Sequence, residues 1–206
     1  MHMIQPRIYL ASRSPRRREL LHQIGVHFDP LLFRGGARED GEVVEDVLAG
    51  EAVEDYVRRL ARAKAGHGVT IARKRSLPFH PVLSADTTLD VDGEIIGKPR
   101  DEADALAILQ RLSGREHRVL TAIAIAGENE RIEDALSISH VRFRELRIDE
   151  IRRYIDSGEP MDKAGAYGIQ GRAAIFVDEI RGSHSGIVGL PLCETALLLR
   201  QFNYPI

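Results

Sequence analysis

Cysteine is nearly absent. The 206 residues contain one, Cys193, so no disulfide can close within the chain, and a reducing compartment is the simplest setting. An excess of charge of one sign is missing as well: 29 lysines and arginines stand against 31 acidic residues, a net charge of −2. That balance leaves no global field for nucleic acid or an anionic membrane, so any anion has to be held by a local cluster. No apolar run approaches the length of a membrane span, and Met1-His2-Met3-Ile4-Gln5-Pro6-Arg7 holds no signal-peptide core. The expectation is a cytoplasmic protein with neither a membrane nor a nucleic-acid partner. Internal repeats, linkers, the Gly-x-x-x-x-Gly-Lys of a P-loop and histidines at metal-ligand spacing are also lacking. Cys193 falls on what reads as an apolar helix face with no histidine or asparagine near it in sequence, which argues against a nucleophilic thiol. The length suffices for one sizeable core, read as a single domain over residues 1–206.

The most informative stretch runs from Ser84 to Pro99. Val82, Leu83, Ala85 and Leu89 have the apolar character of a buried strand, and Asp92-Gly93 is a strong signal for a two-residue hairpin, because both turn positions need φ > 0. The chain then doubles back and returns Lys98 to the neighbourhood of Asp86-Thr87. A carboxylate near a buried strand end needs a lysine or a metal beside it. An ordinary hairpin with solvated charges is the alternative.

Arg7 to Ala11 reads as a short buried strand, followed by a helix with legible ends: Ser14 as N-cap, Pro15 at the first helical position, Leu20, Leu21 and Ile24 on one face, and Gly25 as the stop. Arg16, Arg17 and Arg18 occupy the positive end of that helix, where acidic residues would be stabilising. Free backbone N–H groups, the hydroxyls of Ser12 and Ser14, and planar guanidinium groups together make a phosphate cradle. A solvated basic turn is the competing reading. Residues 28–33 fit a strand, and 34–50 form an acidic loop without a period. Residues 51–66 carry Val53, Val57, Leu60 and Ala61 at helical spacing, and Lys64 falls on the same inward stripe, either facing a cleft or snorkelling outward.

Farther along, Asp101 caps a helix with Ala105, Ile108, Leu109 and Leu112 inward. Strands follow at 117–126 and 132–146, the second with a change of inward phase between Ile138 and Val141 that suggests a bulge. A short helix occupies 148–157. Residues 159–171 hold Gly165, Gly168 and Gly171, too many glycines for a helix or strand interior, so this is an ordered loop backing closely onto something. Within it Gln170 offers a donor and an acceptor suited to a base edge, or else to the loop's own backbone. A strand at 173–180, a polar turn at 182–186 and a final helix from Pro191 complete the chain. The fold class is α/β, a mixed twisted sheet with flanking helices.

Leu10-Ala11-Ser12-Arg13-Ser14-Pro15-Arg16-Arg17, then Ala85-Asp86-Thr87 with Gly97-Lys98-Pro99, then Asp162-Lys163-Ala164-Gly165-Ala166-Tyr167-Gly168-Ile169-Gln170-Gly171 together resemble the Maf family of nucleoside triphosphate pyrophosphatases. Leu112-Ser113-Gly114 with His117 and Thr121, and Val188 to Leu192, fit the same pattern in order. The resemblance implies a two-lobed, inosine-triphosphatase-like fold with a central cleft and a divalent metal, Mg or Mn. It also implies hydrolysis of a nucleoside triphosphate to monophosphate and pyrophosphate. By position it makes Asp86 the proton acceptor and a metal ligand, Arg16, Thr87 and Gln170 the specificity residues, and Ser12, Arg16, Arg17, Lys64 and Lys98 the phosphate-binding set. Glu39 is matched to the acidic metal position, although the stretch after Phe33 departs from the family arrangement, as does Arg13 from a slot usually held by a small residue. The form of the 162–171 segment resembles the branch acting on dTTP and UTP. A branch acting on 7-methyl-GTP, a regulatory nucleotide binder of septum formation without turnover, and a homodimeric assembly are left open.

Overall fold

The computed structural model describes residues 6–34, 40 and 43–206. Its centre is a mixed seven-stranded sheet in the order β2-β1-β3-β5-β6-β7, with β4 paired to β3 alone. β1 (Ile8–Leu10) leads into α1 (Pro15–Gln23) and β2 (Phe28–Pro30), and α2 (Val53–Lys74) crosses to β3 (Val82–Val91). β1 is parallel to both β2 and β3. β4 (Glu94–Ile96) closes the expected hairpin, with Asp92 at φ 56° and Gly93 at φ 83° as the turn requires. α3 (Glu102–Leu112) starts where Asp101 accepts the Asp104 N–H at 2.7 Å. β5 (Glu116–Ala126) and β6 (Ile132–Phe143) then extend the sheet by antiparallel pairing, followed by α4 (Ile148–Ile155), three 3₁₀ turns between Glu159 and Phe176, β7 (Val177–Arg181), α5 (His184–Val188) and α6 (Leu192–Gln201).

Alternation along the strands sends successive side chains to opposite faces. One face carries Leu120, Ala122 and Ala124 of β5 against Val57, Ala61 and Ala65 of α2. The other face divides into two apolar clusters. Leu83, Ala85 and Ile123 pack with Leu20, Leu21, Leu198 and Leu199 of α1 and α6, whereas Leu89, Val91 and Val119 pack with Leu109, Leu112, Tyr154, Tyr167 and Phe176. Between them runs a polar rung across three paired strands, Thr87 opposite Thr121 opposite Ser137. The cleft opens above this rung.

Several sequence expectations change. α2 runs eight residues past Gly66, because Gly68 is where the helix meets the sheet: a Cβ there would lie 2.7 Å from Val82 Cγ1. The 28–33 strand shrinks to three residues. β6 has no bulge between Ile138 and Val141 and pairs with β5 without interruption. Ser137, Ser139, Val141 and Phe143 form its buried face while Ile138 is exposed, so buried serines had disguised a regular alternation; the register shift falls at Arg142/Phe143 against β7. Residues 172–176 are a 3₁₀ turn before β7, and the polar turn expected at 182–186 becomes α5, capped by Ser183 accepting the Gly186 N–H. Cys193 sits exposed in the first turn of α6 rather than on an apolar face. Ser14 holds the N-cap position of α1 without a side-chain cap bond; Ser12 Oγ accepts the Ser14 N–H instead, at 3.2 Å.

Candidate active site

β3 is paired with β1 only as far as Leu83 and with β4 only from Leu89 onward. The intervening residues face an opening. It lies where α1 and α2 leave opposite faces of the sheet after β1 and β2, the topological switch at which open α/β sheets bind ligands. Asp86 points to the α2 face and Thr87 to the other, and both line one cavity of about 410 Å³. Ser14, Arg16, Arg17, Lys64, Lys98 and Gln170 line the same cavity. A second hollow of about 780 Å³ adjoins it, sharing Arg17, Glu45, Lys64 and Lys98 and reaching Ser12, Arg13 and Arg34.

Lys64 faces the cleft, as its place on the inward stripe predicted. Its Nζ donates to Asp86 Oδ1 at 2.7 Å and stands 2.7 Å from Glu45 Oε1. The partner of the buried carboxylate is thus Lys64, and not Lys98, which stays exposed on the cleft rim without an ion-pair partner among the described residues. Glu45 was not singled out by sequence reasoning, since the 34–50 loop has no period to read. It is held from α2: Tyr56 donates its hydroxyl to the Glu45 carbonyl at 3.1 Å, and Arg59 donates to the Asp46 carbonyl at 2.9 Å. Glu39 lies outside the described residues. The acid seen on the cleft beside Asp86 is Glu45.

Arg17 crosses the cleft floor. Its Nε donates to the Gly189 carbonyl at 2.8 Å, one terminal nitrogen to Thr87 Oγ1 at 3.2 Å, and the other to Ser12 Oγ at 3.4 Å. Burial, the largest influence, lowers its pKa, while Asp86 and Glu45 pull the other way; a guanidinium remains charged regardless. Arg16 is half-buried beside it, with a buried Nε that has no hydrogen-bond partner among the described residues. Three of the five expected phosphate-binding residues, Arg16, Arg17 and Lys64, line the cavity with Asp86, and Ser12 and Lys98 line the second hollow.

The glycine-rich segment closes the opposite wall. Gly165 has φ 71°, and a Cβ there would overlap Leu89 Cδ2, so the loop lies directly on β3. Tyr154 ties it from α4, accepting the Gly168 N–H at 3.2 Å and donating to Glu159 Oε1 at 3.1 Å. Tyr167 is buried, its hydroxyl 2.8 Å from His117 Nε2. Desolvation pushes His117 down to about 4, so it is neutral at ordinary pH. Gln170 is exposed to the cleft with no side-chain hydrogen bond to the described residues.

A model of the Maf-like protein family matches residues 7–202. The chain belongs to the Maf family. A dTTP/UTP pyrophosphatase of Aromatoleum aromaticum is 63% identical over 100% of both chains, and one of Dechloromonas aromatica is 60% identical over 96% of this chain and 98% of its own length. Among solved structures, the Staphylococcus aureus Ham1 protein aligns at a TM-score of 0.45 with 17% identity, covering 66% of this chain and 71% of that one, a likeness too slight to carry inference. In this Maf chain no helix among the described residues is long and apolar enough to cross a membrane.

Proposed function

We propose that this Maf protein hydrolyses dTTP and UTP to the nucleoside monophosphate and pyrophosphate. The observation that carries the reading is the meeting of Asp86, Lys64, Arg16 and Arg17 with the unpartnered Gln170 around one cavity, in a chain 63% identical to a dTTP/UTP pyrophosphatase. Water attacks the α-phosphorus, the bond to the bridging oxygen of the β-phosphate breaks, and pyrophosphate departs with that electron pair. Asp86 takes the proton of the attacking water. Arg16, Arg17 and Lys64 hold the phosphate oxygens while charge builds on the leaving group, with Ser12 and Lys98 reaching it from the adjoining hollow.

A divalent cation fits the residues present. Asp86 and Glu45, the two acids paired with the Lys64 ammonium, offer hard carboxylate oxygens and would hold the ion; magnesium commonly takes one or two carboxylates and completes its shell with water and substrate phosphates. When bound, such a cation polarises the phosphoryl oxygens and offsets their charge. Glu45 replaces Glu39 in this assignment. The base sits against the 162–171 wall, where the Gln170 amide donates to a ring carbonyl of thymine or uracil, with Arg16 and Thr87 lining the same cavity. The cavity's size and the lack of a basic surface field support a free nucleotide as substrate, and one exposed thiol suits a reducing cytoplasm. Pyrophosphate release from dTTP, UTP, CTP, ATP, GTP and 7-methyl-GTP tests the reading. It requires dTTP and UTP to lead, and equal efficiencies or a lead by 7-methyl-GTP would overturn it.

A further inference from the structure

Hydrogen-bond direction in the polar rung is fixed by counting protons. Thr121 is fully buried, and its Oγ1 lies 2.8 Å from the Gly186 carbonyl, which can only accept. The single hydroxyl proton of Thr121 is therefore committed to Gly186. Thr87 Oγ1 lies 2.9 Å from Thr121 Oγ1, so in that contact Thr87 must be the donor. Arg17, which has no lone pair to offer, donates to Thr87 Oγ1 at 3.2 Å. The chain runs one way, from Arg17 through Thr87 and Thr121 to Gly186. Thr87 is left with an acceptor lone pair and no proton for the cleft.

We infer that Thr121, which does not reach the cleft, sets the base selectivity of this site by holding Thr87 as an acceptor for the imide N3–H of thymine or uracil. The inference rests on the pyrimidine reading above and adds a residue and a polarity to it. Cytosine carries a lone pair at N3, and an acceptor facing an acceptor strands both. Thr121 is a positioning residue; it touches no substrate and acts through Thr87.

The test compares UTP with CTP in wild type, Thr121→Val and Thr121→Ser. Valine keeps the shape and removes the hydroxyl, which frees the Thr87 proton to turn toward N3 of cytosine. The UTP/CTP ratio of kcat/KM should fall about tenfold in Thr121→Val, the worth of one hydrogen bond. The change should appear as KM shifts of opposite sense for the two substrates, and serine should restore the ratio. Wild type should also handle N3-methyl-UTP poorly while tolerating loss of the sugar 3′-hydroxyl. A folded Thr121→Val with an unchanged ratio overturns the inference, as does wild-type loss on 3′-deoxy rather than N3-methyl substrate. A wild type that does not prefer UTP over CTP sinks the pyrimidine reading instead. The proton order is then read directly, because hydroxyl-proton NMR of the free protein should show slowly exchanging Thr87 and Thr121 protons, the Thr121 signal coupled through space to Gly186. A rapidly exchanging Thr87 proton refutes the polarity on its own, and the same measurement serves if Thr121→Val does not fold.

Discussion

Replacing His117 with glutamine should flatten the acid side of the stability profile. The imidazole is 2% exposed, packed between Phe143 and Tyr167, and burial lowers it from 6.5 to about 4. The folded state therefore binds a proton more weakly than the unfolded chain. This contribution is fully present above the unfolded value and is lost as pH falls toward the folded one. Between pH 7.5 and 4.5 the linkage relation gives about 2.5 kcal/mol of stability lost through this one group. Urea unfolding of wild type and His117→Gln across that interval isolates it, since the other titrating groups are common to both. The difference in unfolding free energy should shrink by about that amount as the medium is acidified. Parallel profiles would show that His117 is not held neutral in the fold. Glutamine retains a donor for the Tyr167 hydroxyl, so the variant keeps the wall of the cleft that Tyr167 anchors.

Asp86→Asn should fold normally and lose about a hundredfold or more in turnover; near wild-type kcat in well-folded protein would remove Asp86 as the proton acceptor. Gly165→Ala forces a side chain at φ 71° into Leu89 and should cost about 2 kcal/mol, read as a lower Tm, while raising KM for UTP; an unchanged Tm would mean the loop does not lie on β3 as described. Excess chelator should stop hydrolysis and magnesium should restore it, whereas full activity in metal-free protein would remove Asp86 and Glu45 from a metal role.

Much of the scaffold was legible because local chemistry dictates it. Asp92-Gly93 turns where two positive φ angles are needed, Asp101 caps α3, and the stripe through Val57, Leu60 and Ala61 places Lys64 at the cleft. Other features answer to contacts far away in sequence. The helix reads as ending at about Gly66 and instead continues through Gly68, a point of close packing against Val82. Ser137 and Ser139 read as solvent-facing and are buried in the rung and its neighbour, Ser139 bonded to the Ser183 backbone. Glu45 belongs to a loop with no pattern, and it acquires meaning only once α2 brings Lys64 and Tyr56 to it. Thr121 carried family resemblance but no visible task until the Gly186 carbonyl fixed where its proton goes.

Hydrolysis of UTP in ¹⁸O-labelled water tests the central claim most directly. Attack at the α-phosphorus puts one labelled oxygen into UMP and none into the pyrophosphate, which mass spectrometry of the two products resolves. Label in pyrophosphate, or release of UDP and labelled phosphate, would contradict the account.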